Sequence, residues 1–472
     1  MNGPLSSSTR FKIRNGLIIL GLLFVLCIQH HSVSFYSAEN VESSYLSDSK
    51  GVSSDFSALQ AEALFHGRLE VLPTPPDLLL VSDPYDPEQN APFRGSGYHD
   101  LSFFEGKIYA PQGFGAALLI DIPTRLIGLG YASPPLKVLL LVAAGTFSLF
   151  LICVELLGRI QKKSLTNLQN IVLLSIVLLS NPATWLIVSG RSYHVPIAAA
   201  YFAINTGVLV AWKGIENRRL GLVSSGALLI GLAFMARPNI APLVFSAVFV
   251  LGFCCFKICS KGSYLQHIFL ICLCIGAVVT LWGLLNYARF GNFTQTGHAY
   301  QLSGFNMRNY PIGSLGFILE NVKAYILTPV QLHRDFPFFS LTPSNANDSL
   351  VLQQHEDLAG LLFAYPLLCF TPISTVVVFR KKLPFLSLST LSIATSIATL
   401  IFISAIFKDS TMRYLPDFST GLVMVSAITV PLYLKITRDK AVRNILSPTV
   451  ALCFVAVLAI EFNLLLSQCQ RC

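Results

Sequence analysis

Acid–base chemistry needs an ionisable side chain where water and a substrate can meet it, and this chain offers few such places. Asp55 stands in SSDFSALQAEALFHGRL (53–69), and Asp100 follows Tyr98 in GYHDLSFFEGKIY (97–109). A carboxylate takes the proton of an attacking hydroxyl when it lies within hydrogen-bond reach of it. Arg289 stands in NYARFGNF (286–293), which runs on to Tyr300 in GHAYQL (297–302), and Arg413 and Tyr414 open RYLPDF (413–418). Arg191 in GRSYH and Arg237 in ARPN border apolar runs in the same way. Guanidinium groups bind phosphate bidentately, so the set suits a phosphate ester held beside a carboxylate base. His194 and His298 read as hydrogen-bonded boundary residues rather than ligands. Asp83 and Asp86 in SDPYDP (82–87) suit either a divalent cation or, standing before proline, the start of a turn.

Other chemistries leave no trace. The chain has no GxxxxGK[ST], no dinucleotide fingerprint, no HExxH and no DxD. Net charge is +9, but 18 of the 33 Lys and Arg fall into six short clusters, so the balance does not signal nucleic-acid binding. The 11 cysteines mostly lie in apolar runs, where Cys behaves as a small hydrophobe, and CQRC at 469–472 reads as a tail.

The elements that must position these residues are membrane helices. The chain is 53% hydrophobic and only 12% charged, about half the charge of a typical soluble domain. Hydropathy predicts an all-α polytopic membrane protein of about 11 transmembrane helices, near 15–35, 135–157, 168–189, 195–212, 220–236, 239–256, 265–287, 359–379, 385–407, 418–434 and 445–467. The basic clusters are Arg10/Lys12/Arg14, Arg159/Lys162/Lys163, Lys213/Arg218/Arg219, Lys257/Lys261, Arg380/Lys381/Lys382 and Lys435/Arg438/Lys440/Arg443. Short basic loops stay cytoplasmic. With this span count every cluster faces the cytoplasm when the N-terminus lies inside and the C-terminus outside. The segment 16–28 resembles a signal peptide but lacks a small-x-small site, and reads as an uncleaved first helix.

The resulting organisation is a first transmembrane helix in 1–35, an outer loop in 36–134, helices two to seven in 135–287, a second outer loop in 288–358 and helices eight to eleven in 359–472. The two loops hold 18 of the 24 acidic residues. Phe56, Leu59, Ala63 and Leu64 recur at helical spacing and Gly67 stops that helix, whereas Pro73–Pro92 reads as extended. Gly113–Gly130 carries Asp121 and Arg125 one turn apart, a polar stripe that, with Pro123, predicts a helix lying in the outer interface rather than crossing the core.

The layout resembles the GT-C glycosyltransferases, most closely bacterial proteins of the dolichyl-phosphate-mannose-mannosyltransferase type. The resemblance rests on a first helix followed by a long loop with an early Asp, AEALFHGRL, DLSFFEGKIY, NYARFGNF with GHAYQL, and RYLPDF. It implies a plasma-membrane enzyme that takes a sugar from a polyprenyl-phosphate-linked donor and passes it to a glycan or lipid acceptor on the non-cytoplasmic face. It implies Asp55 as general base, with Asp100, Tyr98, Arg289, Tyr300, Arg413 and Tyr414 as substrate-binding residues. It requires no cofactor, a divalent cation being optional, and its partners include membrane lipids but no nucleic acid. A polysaccharide polymerase or ligase, or a lipid or sugar transporter, are the competing readings. Transporters tend to show repeats and midplane charges, and neither is evident here.

Overall fold

Among the described residues six helices are long and apolar enough to cross a bilayer, and one bent pair brings the number to as many as seven. The computed structural model describes residues 21, 34–36, 55–335, 338–342, 357–369, 371–379 and 383–436. The predicted spans at 15–35 and 445–467, three of the six basic clusters, the CQRC tail and most of 336–356 lie wholly or largely outside those residues.

The elements that matter are α1 (Phe56–Phe65), α2 (Pro134–Gln161), α3 (Asn167–Leu179), α4 (Val195–Glu216), α5 (Leu220–Ala236), α6 (Ala241–Ile258), α7 (Lys261–Phe290), α8 (Gly316–Leu327), α9 (Leu383–Ile406) and α10 (Leu415–Ile436). Several predicted spans take other forms. The run 168–189 is two helices bent by 53° where Asn181 and Pro182 interrupt the hydrogen-bond ladder. Helix α5 has only 17 residues, about 25 Å of rise. The run 359–379 is three short helices, Leu361–Ala364, Pro366–Cys369 and Thr371–Phe379, with prolines at 366 and 372 that a continuous helix would not accommodate. Between Pro73 and Pro92 the chain is not extended: Pro76–Leu80 is a 3₁₀ turn and Pro87–Phe93 a helix.

Helices α4 and α5 form a tight pair. A Cβ on Gly226 would fall 2.4 Å from the backbone nitrogen of Ala211. Small residues let backbones approach where lipid supplies no hydrophobic drive.

The two long polar segments pack together at one end of the bundle. Strands β1 (Ser102–Phe104) and β2 (Lys107–Tyr109) form a hairpin, turned by Glu105 and Gly106 at positive φ. The second segment joins it: Asp100 N donates to Leu302 O at 2.9 Å, Leu302 N to Leu101 O at 2.8 Å, and Ser102 Oγ to Gly297 O at 2.9 Å. Phe56, Leu59, Leu72, Leu101, Ile108 and Leu302 fill a core beneath them. Gly115 ties this body to the bundle, its α-carbon so close that a Cβ would lie 2.4 Å from Ala236 N. The opposite end carries the basic clusters that fall among the described residues, with Arg159 and Lys213 paired to Glu155 and Glu216.

Candidate functional site

Three helices open with the same local device at the end occupied by the loop body. Helix α4 follows a 3₁₀ turn, Ser192–His194, preceded by Arg191. Helix α6 follows Pro238–Ile240, preceded by Arg237. Helix α10 follows Met412–Tyr414, which contains Arg413. Each helix has proline at its second position, Pro196, Pro242 and Pro416. Proline costs nothing there, since first-turn N–H groups have no intrahelical partner. Those N–H groups leave each helix start partly positive, and an arginine stands beside each.

Side chains stitch the three turns together. The Arg413 guanidinium lies 5.6 Å from the Tyr193 ring centre and 5.5 Å from that of Tyr414. Arg237 lies 4.6 Å from the Tyr414 ring on its other flank, and its Nε donates to Asp417 Oδ2 at 2.6 Å. Arg191, Arg237 and Arg413 all act electrostatically on the buried ring of His194. Arg191 is exposed. Three guanidinium groups therefore share the surroundings of His194, one of them, Arg237, paired with Asp417, an arrangement suited to an anion.

The loop body presents Asp100 to this cluster. Its φ is +61°, a left-handed conformation that Asp tolerates better than most residues but that still costs energy. The turn is held by its own N–H on Leu302 and by Gln301 Nε2, which donates to the Asp100 carbonyl at 3.2 Å. Tyr193 Oη donates to Asp100 Oδ2 at 2.5 Å, and His99 Nε2 lies 3.6 Å from the same oxygen. The Asp100 side chain is 21% exposed. Among the described residues no lysine or arginine pairs with it; Lys107, in the same segment, lies 4.0 Å from Glu70. Asp100 and Arg413 thus flank the same tyrosine, Tyr193. His298 borders this site, held below its ordinary pKa by burial and pulled the other way by Asp100. The ring of Tyr310, 6.1 Å from that of His298, carries a hydroxyl that donates to Asp409; burial, then Asp409, pushes that phenol upward.

Asp55 has a different setting. It caps α1, accepting from Ala58 N at 3.2 Å. Both its oxygens accept from Lys137 Nζ, at 2.7 and 2.6 Å, and it is 5% exposed. Lys137 also pairs with Asp121, and neither of these two is exposed at all. Asp121 therefore faces inward onto Lys137, whereas Arg125, its side chain 39% exposed, lies 3.6 Å from Glu62, which accepts from Tyr131 Oη at 2.5 Å. Burial raises the Asp121 pKa and the Asp55 charge adds to that, against the pull of Lys137.

The remaining predicted residues divide. Tyr414 joins Arg413 in the cluster. Tyr98 is buried and its hydroxyl donates to Pro73 O at 3.1 Å. Arg289 is buried, not at a headgroup surface; it donates to Ala110 O at 2.8 Å and to Asn286 Oδ1 at 2.7 Å. Tyr300 packs 4.5 Å from the Phe104 ring and 6.1 Å from that of Tyr85. These three hold the loop body together and onto α7. Asp83 and Asp86 organise turns, accepting from Tyr85 N and Glu88 N. Among the described residues no group of three or more His, Cys, Asp or Glu could hold a metal ion.

Lys137 and Tyr193 were missed by sequence reasoning. Lys137 had a signal: a lysine in the first turn of an apolar helix, PPLKVLLLV, demands a buried counter-charge. Tyr193 had none, since only the fold brings it to Asp100, 93 residues away in sequence. No family model matches the chain, and neither a curated protein nor a solved structure matches it.

Proposed function

We propose that this chain is a membrane glycosyltransferase of the GT-C type, with about 11 spans, that moves a sugar from a polyprenyl-phosphate donor to a glycan or lipid acceptor on the non-cytoplasmic face. One observation carries the reading: a carboxylate with no lysine or arginine partner among the described residues, Asp100, and a guanidinium, Arg413, flank one tyrosine, with Arg191 and Arg237 beside it. Asp100 takes the proton of the acceptor hydroxyl. The new bond to the anomeric carbon forms as the bond to the phosphate oxygen breaks, and the phosphate leaves with that electron pair. The guanidinium groups stabilise the charge so released. Asp55, implied as base by the resemblance, is bound at both oxygens by Lys137, so this reading gives it a positioning role and gives the base to Asp100.

The test is transfer from a polyprenyl-phosphate sugar in membranes containing each variant, with mass-spectrometric profiling of lipid-linked glycans in cells with and without the protein. Asp100→Asn lowers turnover about 10²–10⁴-fold, the usual weight of a general base, while expression and insertion stay intact. Arg413→Ala weakens donor use by about 10–100-fold and leaves acceptor use unchanged. Full transfer by Asp100→Asn, together with loss in a well-folded Asp55→Asn, returns the base role to Asp55. Movement of a lipid in proteoliposomes without any sugar transfer replaces the enzyme reading with a transporter.

A further inference from the structure

An apolar cavity of about 420 Å³ lies within the bundle, between α2, α4, α6, α9 and α10. Along α6 it is lined from Leu243 to Lys257, about 21 Å of helix rise, most of a bilayer's hydrocarbon thickness. Its walls are side chains such as Ile152, Val208, Val250 and Leu388, with Ser246 and Thr395 bonded to each other. Its length and apolar walls suit a hydrocarbon chain. The end away from the arginine turns is different in kind: Arg159, Trp212 and Lys257 line it.

Charges at that end are uneven. Arg159 and Lys213 are matched by Glu155 and Glu216, and Arg159 also covers the Trp212 ring at 4.7 Å. Lys257 is exposed and has no carboxylate partner among the described residues, only the rings of Phe253 at 5.5 Å and Phe256 at 5.7 Å. Exposed Lys162, Lys163 and Lys261 add to the same face. A tryptophan and an unmatched lysine at the mouth of an apolar channel are the surroundings of an anionic headgroup at a membrane interface.

We infer that this cavity holds one chain of an anionic phospholipid from the leaflet at the basic end, its headgroup bound at Lys257. The site is separate from the arginine cluster, and its occupant does not depend on the proposed transfer reaction.

The full-length chain, delipidated in mild detergent, is titrated by native mass spectrometry with phosphatidylglycerol, phosphatidylcholine and polyprenyl phosphate. Phosphatidylglycerol binds about fivefold tighter than phosphatidylcholine, the weight of one lysine near an anionic surface. Lys257→Gln, a surface change that leaves the fold intact, removes that preference, and Val208→Trp, which fills the channel, abolishes binding of both. Equal binding of the two phospholipids overturns the inference. So does an unchanged preference in Lys257→Gln, or displacement of the phospholipid by polyprenyl phosphate.

Discussion

At the scale of single residues, two aspartates of the same loop body do different physical work. Asp55, Lys137 and Asp121 form a buried group of two carboxylates and one ammonium, and such a group is favourable only while its charges are matched. Burial, with the excess carboxylate adding to it, is why Asp121 keeps its proton to higher pH than an ordinary aspartate. The unfolded chain gives up that proton near pH 3.9, the folded chain later. Stability therefore falls as pH rises from the unfolded pKa to the raised folded one. Asp121→Asn keeps the Asp55–Lys137 pair and removes the surplus charge. Its melting temperature in detergent at neutral pH is unchanged or higher than that of the parent, and its stability is flat across the acidic window where the parent's declines. Lys137→Met strands two carboxylates and costs about 3–5 kcal/mol. A large loss in Asp121→Asn would show that both carboxylates are ionised and needed. Asp100, by contrast, is 21% exposed and has no ammonium or guanidinium partner among the described residues, so Asp100→Asn affects transfer and not melting.

At the scale of elements, the arginine-marked helix starts are the unit that organises the site. The Arg237–Asp417 pair bridges α6 and α10 with only 13% and 2% of its side chains exposed. Arg237→Ala leaves Asp417 buried and unmatched, a loss of about 3–5 kcal/mol. Adding Asp417→Ala restores much of the stability, because the uncompensated charge is gone. If Arg237 also holds the donor phosphate, the double variant melts like the parent yet still binds donor weakly; full recovery of both would make Arg237 a purely structural residue. The helices themselves were legible, since long apolar runs between basic clusters leave little choice, and so was α1, with Gly67 at its end. What stayed hidden was how runs break and turn. The bend at Asn181–Pro182 and the three short helices around Pro366 and Pro372 sit inside stretches whose hydropathy alone reads as continuous. The site was half legible: Arg413, Tyr414 and Asp100 carry visible signals, but their meeting through Tyr193 depends on tertiary packing. Arg289 reads as a headgroup ligand in sequence because nothing local shows the Ala110 carbonyl that it binds.

At the scale of the whole molecule, the chemistry proposed requires that the loop body and the basic clusters lie on opposite sides of a membrane. The fold already separates them, because α2 runs from Pro134 beside the loop body to the cluster at Arg159, and α4 from the Tyr193 turn to Lys213. Residues 35–36 pair with 131–132 at the start of α2. The proposed topology puts the Arg159 end in the cytoplasm and Asp100 on the outer face, because short basic segments resist translocation. Impermeant thiol labelling of intact cells checks this, provided that the reporter is exposed; a cysteine at the buried Asp55 would stay silent on either side. Glu88 and Lys163 are both exposed. In a background corrected for the native cysteines, Glu88→Cys reacts in intact cells and Lys163→Cys only after permeabilisation. The reverse pattern would put Asp100 and the three arginines in the cytosol, beyond reach of an outward-facing lipid-linked sugar, and the transfer proposal would fail with the topology.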